Sequence, residues 1–362
     1  MNNINSINDI VNTIIQGDCI EILKTITTES IDAIFADPPY FMQTEGELLR
    51  TNGTKFNGVE DSWDKFNSYN DYDKFTFEWL KECKRILKKE GSIWVIGSFQ
   101  NIYRMGYIMQ NLGFWILNDI IWSKPNAVPN FGGTRFQNSH ETLLWCTKEK
   151  KSKYTFNYKT MKHLNNGKQE KSVWDIGICI GSERLKDSKG KKVHSTQKPQ
   201  KLLYNIILSS TKPNDIVLDP FFGTGTTGAI AKELGRNFIG IEKEPYYIEY
   251  AKKRISNVKP NINDISSLKL EVKPPKVSMQ TLVEHNYLKY NQNLYNSKGD
   301  CICYVVENGY VCDDKDKLSI HKMSAKYLNK TNHNGWDYFY IKNNNSLIPI
   351  NDLRYQYNEK EK

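Results

Sequence analysis

From the N-terminus to about residue 255, short apolar runs alternate with stretches whose apolar residues recur at helical spacing. "SIDAIFAD" (30–37) predicts a buried strand. "FTFEWLKECKRILKKEG" (75–91) predicts a helix, with lysines near its end and Gly91 as the stop. "SIWVIGS" (92–98) reads as a strand, "NIYRMGYIMQNLG" (101–113) as a helix and "FWILNDIIWSK" (114–124) as a third strand. Further on, "DIVLDPF" is a strand, "TTGAIAKELG" a helix and "NFIGIE" a strand. Such alternation predicts an α/β architecture, a parallel, doubly wound sheet with helices on both faces.

Two segments break the rhythm. Residues 42–72 are polar with few periodic apolars, which suggests a functional loop. Residues 125–196 are rich in Asn, Lys, Gly and aromatics and read as an insertion into the fold. Prolines 260, 274 and 275 then mark a linker over 259–276. The expected organisation is a main domain over 1–258, a linker, and a small domain over 277–362 rich in Tyr, Asn and Lys. Within that small domain "CICYVV" reads as a strand.

Composition narrows the picture. A hydrophobic content of 39% and an aromatic content of 12% are enough for a packed core. The net charge of +9 attracts polyanions, nucleic acid first among them, but mildly basic proteins of other kinds share it. Seven cysteines, an odd number without a CxxC pair, suggest neither a disulfide framework nor a zinc site; they read as free thiols in a reducing cytoplasm. "MNNINSINDIVNTII" lacks the pattern of a signal peptide, and no apolar run approaches membrane-spanning length. The expectation is a soluble, cytoplasmic protein without a metal.

The chemistry begins where "SIDAIFAD" runs into Pro38, Pro39 and Tyr40. Ligands of a doubly wound sheet gather beyond the carboxyl ends of its strands, and Asp37 stands at such an end. The prolines fix the backbone and carry no N–H, so the turn offers a carboxylate and carbonyls beside an aromatic face. A planar heterocycle with an exocyclic amino group fits that edge: two donors for the acceptors and a ring to stack. The plainer reading is a strand end in which Asp37 caps a neighbouring group.

Farther along, Gly223, Gly225 and Gly228 in "DPFFGTGTTG" match GxGxxG between a strand and a helix, and Glu242 closes the next strand. Strand, glycine loop, helix, strand and terminal acid together point to an adenosine-containing cofactor whose ribose the acid would bind. The spacing also admits NAD, but an acceptor edge suited to an amine does not suit hydride transfer.

An Asp-Pro-Pro-Tyr element ahead of an FxGxGT-like loop resembles the β class of amino-methylating DNA methyltransferases. The stretches "FADPPYFMQTEG", "WLKECKRIL", "GSIWVIGSFQNIYR", "PNFGGTRFQNSHETLLWC", "HSTQKP", "LSIHKMSAKYLNKTN" and "NGWDYFY" are similar to its GANTC-specific adenine members, to which the cell-cycle-regulated methyltransferases are related. That resemblance spans nearly the whole chain. It implies a mixed, Rossmann-like sheet of the S-adenosylmethionine-dependent methyltransferase type. It also implies transfer of a methyl group to adenine N6 in double-stranded DNA, after the base has swung out of the duplex.

Residue by residue, the resemblance implies that Asp37 and the Pro38 carbonyl hold the amino group, with Pro39 stiffening the turn and Tyr40 stacking on the base. Asp219, Phe221, Gly223, Thr224, Gly225 and Thr226 would form the loop under S-adenosylmethionine, with Glu242 on the ribose and Asp18 and Cys19 at the adenine moiety. Ser195, Thr196 and Gln197 precede a helix expected from about Pro199, whose free N–H groups suit the methionyl carboxylate, with Lys198 adding positive charge; simple capping is the other reading. Arg135, Gln137, Asn138 and His140 are the candidates for reading bases, and Lys326, Asn334 and Trp336 for contacts from the tail. A glycine-rich surface loop and a small aromatic core are the plainer readings of those two segments. Cytosine N4 as the acceptor, or an inactive DNA-binding relative, stay open alternatives. A homodimer and a cognate restriction endonuclease are the partners considered beside DNA, with a solitary methylase as the other setting.

Overall fold

The computed structural model describes residues 6–41, 48–49, 55–56, 64–130, 132–260, 275–343 and 346–360. Most of the polar loop read over 42–72 and of the linker read over 259–276 therefore lies outside the described residues. The chain divides into two compact units, Met1–Glu271 and Val272–Lys362.

In the first unit the order is β1 (Thr13–Gln16), α1 (Cys19–Thr25), β2 (Ile31–Ala36), β3 (Leu48–Leu49), β4 (Lys55–Phe56), α2 (Tyr69–Ile86), β5 (Leu87–Gly97), α3 (Ile102–Asn111) and β6 (Trp115–Ser123). There follow β7 (His140–Thr147), α4 (Tyr158–Leu164), β8 (Val173–Asp175), α5 (Gln200–Ser210), β9 (Ile216–Asp219), α6 (Thr226–Glu233), β10 (Asn237–Glu242) and α7 (Pro245–Ser256). Eight of these strands form one sheet in the order β1-β10-β9-β2-β5-β7-β6-β8, while β3 and β4 pair with each other.

Period-two alternation in the strands explains the layers. In β2, Ile34 and Ala36 face a core shared with α1, α2 and α3, whereas Ala33 and Phe35 face one shared with α5, α6 and α7. In β5, Ile93 and Val95 join the first core and Trp94 and Ile96 the second. The sheet is thus covered by helices on both faces, as the alternation predicts.

Three expectations drawn from the periodicity change. The sheet is mixed, as the family resemblance implies and the alternation alone does not, because β7 runs antiparallel to both β5 and β6. The connection from β6 to β7 carries no helix among its described residues, which suits antiparallel neighbours. Residues 125–196 are also not one insertion: 140–147 is an interior strand whose Leu143 and Cys146 are fully buried. Finally, α2 ends at Ile86 and not at Gly91. Leu87 already pairs with Ile31, and Lys88 reaches Asp32 at 2.7 Å. Gly91 lets this strand pass close to its neighbour, since a Cβ there would lie 2.8 Å from the Asp32 carbonyl oxygen.

The second unit is a six-stranded antiparallel sheet in the order Lys317–Leu318, Val311–Cys312, Cys301–Val305, Asn293–Tyr295, Tyr340–Asn343, Ser346–Pro349. Leu294, Val305, Met323, Phe339 and Ile350 fill its core, joined by Trp336. Among the described residues no helix is long and apolar enough to cross a membrane.

Candidate active site

The carboxyl ends of β1, β10, β9 and β2 lie side by side, and the chain order reverses between β9 and β2. A cavity of about 340 Å³ opens at this edge, within the usual range for a small-molecule site. Its wall brings together Asp37 to Tyr40, Asp219 to Thr224 with Thr226, Thr196 to Lys198, Asp18, Cys19 and Glu242. Of the residues expected at the cofactor, Ser195 and Gly225 do not line it. Gly225 stands just behind as the N-cap of α6, with φ 75°.

At the β2 end, the corner is held from several directions. The Tyr40 and Phe41 N–H groups both donate to Asp64 Oδ1, at 2.6 and 2.7 Å, and Phe41 adopts φ 52°, a conformation uncommon outside glycine. Tyr72 donates its hydroxyl to the Pro39 carbonyl at 2.9 Å and itself accepts from the Asn101 amide. Stiffness here thus comes from Asp64 and α2 as well as from two prolines.

The side chains of the corner form a chain of charges. Lys198 Nζ lies 2.6 Å from Asp37 Oδ2, and the Tyr40 hydroxyl lies 3.0 Å from Asp37 Oδ1 and 2.9 Å from Glu141 Oε2. Lys124, just past the end of β6, pairs with Glu141 Oε1 at 2.5 Å. Burial raises the Asp37 carboxyl above the usual carboxylate range, with the Lys198 ammonium opposing. For Glu141 burial also works against the charge, but Lys198 and Lys124 outweigh it and hold the group below its ordinary value. Burial and the two carboxylates push the Tyr40 hydroxyl well up, so it stays protonated.

On the cofactor side, Asp219 is buried and pushed up to about 7 by its burial; its oxygens take the Phe221 N–H at 2.9 Å and the Thr227 hydroxyl at 2.6 Å. Glu242 accepts the N–H groups of Gly223 at 2.7 Å and Glu244 at 2.9 Å, and the Lys243 backbone also donates to it. Gly228 and Gly240 pack against Phe222: a Cβ would come within 2.6 Å of its ring at the first and 2.5 Å at the second. Asp18 caps α1 through the Ile20 and Glu21 N–H groups, and burial drives the Cys19 thiol up to about 12. His194, on the cavity wall, accepts the Thr196 N–H and is lowered to about 3 by burial and nearby cations, so it is neutral. The cradle, the terminal acid and the cavity's size fit S-adenosylmethionine.

Several expected roles meet a different geometry. The helix beyond Pro199 exists, but the Gln200 N–H at its start already donates to Glu183 Oε1 at 2.5 Å. Gln197 is committed through its side chain to Leu185, Glu183 and Cys179. Lys198 faces Asp37, at the β2 end of the site. In the tail, Trp336 is 8% exposed, belongs to the small core and lies under the Arg354 guanidinium, 4.5 Å from the ring centroid. Lys326 is paired with Asp313 and Asp316, and Asn334 donates to Asp337. By contrast, Arg135, Gln137, Asn138 and His140 are all exposed, Arg135 resting over Phe99 and Gln137 donating to the Ala127 carbonyl. Asp64, Tyr72, Lys124 and Glu141 are the site residues that the reading of the sequence missed. Asp64 and Tyr72 lie in the stretch whose polarity suggests a functional loop, but no pattern names either residue, and Lys124 and Glu141 reach the corner from much farther along the chain.

Comparison with known proteins agrees with this geometry. Residues 31–253 match the family model described as DNA methylase, covering the N6 and N4 enzymes. The chain is 68% identical to the Type II methyltransferase M.HinfI of Haemophilus influenzae, over 97% of this chain and 98% of that protein. It is 44% identical to the Type II methyltransferase M2.LlaDCHI of Lactococcus lactis subsp. cremoris, over 67% of this chain and 88% of that one. The fold is also that of the cytosine-N4-specific PvuII DNA methyltransferase, with a TM-score of 0.54 at 20% identity, covering 71% of this chain and 90% of that chain. The chain belongs to the N6/N4 DNA methylase family and is an S-adenosylmethionine-dependent DNA methyltransferase.

Proposed function

We propose that the chain methylates adenine at N6 within duplex GANTC, in the setting of a restriction–modification system. The observation that carries this reading is the meeting of the Asp37–Tyr40 corner and the glycine loop in one cavity. The target and the base follow from the motifs shared with GANTC-specific enzymes and from the 68% identity to M.HinfI.

An adenine amino group is paired and sheltered in the duplex, so the base must leave the stack to reach this cavity. Asp37 and the Pro38 carbonyl then accept its two hydrogens, and Tyr40 offers its ring. Drawing on both hydrogens favours a pyramidal nitrogen, whose lone pair is freed as the new bond forms. S-adenosylmethionine supplies an already activated methyl group, so the protein's work is alignment and electrostatics. The loop around Phe221, Gly223 and Thr224 holds the cofactor, with Glu242 on the ribose hydroxyls and Asp18 at the adenine moiety. Arg135 suits a guanine edge, and Gln137 and Asn138 an adenine edge. A two-fold dimer would match the palindromic outer bases of GANTC.

The test is direct. Unmethylated plasmid incubated with protein and S-adenosylmethionine is expected to carry N6-methyladenine at GANTC on both strands when mapped by sequencing. N4-methylcytosine, or marks at other sequences, would overturn the assignment. The corner's support can be tested separately. Replacing Asp64 with Ala leaves the buried N–H groups of Tyr40 and Phe41 without this acceptor, at about 1–3 kcal/mol each. Single-turnover rates are expected to fall about tenfold or more, while calorimetric affinity for S-adenosylmethionine changes little.

A further inference from the structure

The Tyr40 hydroxyl has one proton and two carboxylates within reach, Asp37 at 3.0 Å and Glu141 at 2.9 Å. It can donate to only one at a time. A proton given to Asp37 Oδ1 weakens that oxygen as a base and as a partner for an amino group. A proton given to Glu141 leaves Asp37 free to act. Lys124 lies against the other oxygen of Glu141 and favours its ionised form, so the competitor for the tyrosine proton is a full anion.

Resting on the reading of Asp37 above, we propose that Glu141 is a positioning residue for methyl transfer: it accepts the hydrogen bond of the Tyr40 hydroxyl and so keeps Asp37 a competent proton acceptor. As the amino nitrogen bonds the methyl carbon, the carbon–sulfur bond breaks with its electron pair remaining on sulfur. The nitrogen then sheds one proton to Asp37, whose carboxylate becomes the neutral acid. Glu141 assists twice. Its charge, one hydroxyl away, favours protonation of Asp37, and its hold on Tyr40 removes the hydrogen bond that would resist it. The other charged groups at this point are Lys198 from the segment before α5, which opposes protonation, and Asp219 at the end of β9, which favours it.

The inference predicts how Glu141→Gln behaves. Substrate KM values and cofactor affinity should stay near those of the parent, while kcat falls about tenfold, the scale of one hydrogen bond to a charged group. Without the anion the Tyr40 proton turns to Asp37, so the acidic limb of the kcat–pH profile should move to lower pH. A residue that merely props up the fold would not move that limb. In a Tyr40→Phe background the bridge is gone, and adding Glu141→Gln should then cost much less than it does in the parent. If the lone Lys124 unsettles the fold, the E141Q/K124M variant removes both charges and reads the same limb. An unmoved limb, or an equal cost of Glu141→Gln with and without the Tyr40 hydroxyl, would overturn the inference. In that case a dead Asp37→Asn enzyme would still leave the reading of Asp37 standing. Full activity in Asp37→Asn would instead remove the reading on which the inference rests.

Discussion

Asp37→Asn is expected to lower kcat by about three orders of magnitude, within the range lost when a positioned proton acceptor or a preorganised charge is removed. Asparagine keeps the shape but presents a single acceptor oxygen and no charge. In the structure Asp37 is also the counterion of Lys198, whose side chain is only 8% exposed. Breaking a buried pair from one side is costly, about 3–5 kcal/mol when the remaining charge has no partner. A loss of activity could therefore reflect a damaged fold. The double variant D37N/K198M separates the two effects. It removes both charges, so unfolding in denaturant should return toward the parent value while the methylation rate stays low. Recovery of rate together with stability would show that Asp37 serves the fold alone.

The same corner shows why charge balance matters here. Lys198 pairs with Asp37 and Lys124 with Glu141 on either side of the Tyr40 hydroxyl, so the set carries no net charge. Such a set can be buried with each charge answered, which an isolated carboxylate cannot. An arriving amino group is neutral, so it adds donors without upsetting that balance. In the proposed reaction positive charge develops on the nitrogen only as the bond forms, and Asp37 is the anion that would meet it.

What the sequence disclosed about this site follows from distance along the chain. Asp37, the prolines and Tyr40 are consecutive, and the glycine loop with Glu242 spans a single strand–helix–strand unit, so their chemistry is written locally. Glu141 comes to Tyr40 from 101 positions away and Asp64 from 24, and neither sits in a pattern that names its partner. The strand holding Glu141 was read as insertion because its flanks are polar, though "LLWC" is buried in the sheet. The end of α2 was misplaced because Lys88, Lys89 and Glu90 suit a helix. What decides the matter is the pairing of Leu87 with Ile31, a tertiary contact that propensity does not report. In the tail, Lys interleaved with aromatics fits a binding surface and a small sheet equally well. The burial of Trp336 and Phe339 shows which face those rings take.

Gly225→Ala is expected to be the most damaging single change on the cofactor side. Its backbone has φ 75°, where an alanine costs about 1–2 kcal/mol. A Cβ would also lie 2.8 Å from the Cβ of Ala251 on α7, itself fully buried, and relief requires helix or loop to shift at about 1–3 kcal/mol. The combined cost, about 2–5 kcal/mol, falls on the turn that carries Gly223 and Thr224 into the cavity. Helix α7 is packed into the core along its buried face, whereas the loop borders the open cavity at Gly223 and Thr224, so the loop should yield. Affinity for S-adenosylmethionine, measured by calorimetry, is then expected to weaken by at least about thirtyfold, with a smaller drop in unfolding free energy. Gly228→Ala offers the contrast. Its backbone is helical, and its clashes are with side-chain ends, the Phe222 ring at 2.6 Å, which can be shortened, and Ile255 Cδ1 at 2.9 Å, which can turn aside. G228A/F222L should recover much of the affinity that G228A loses. No shortening of a neighbour removes the backbone strain at Gly225, so its loss should persist in G225A/F222L. If G225A binds the cofactor as tightly as the parent, the loop between β9 and α6 does not hold it.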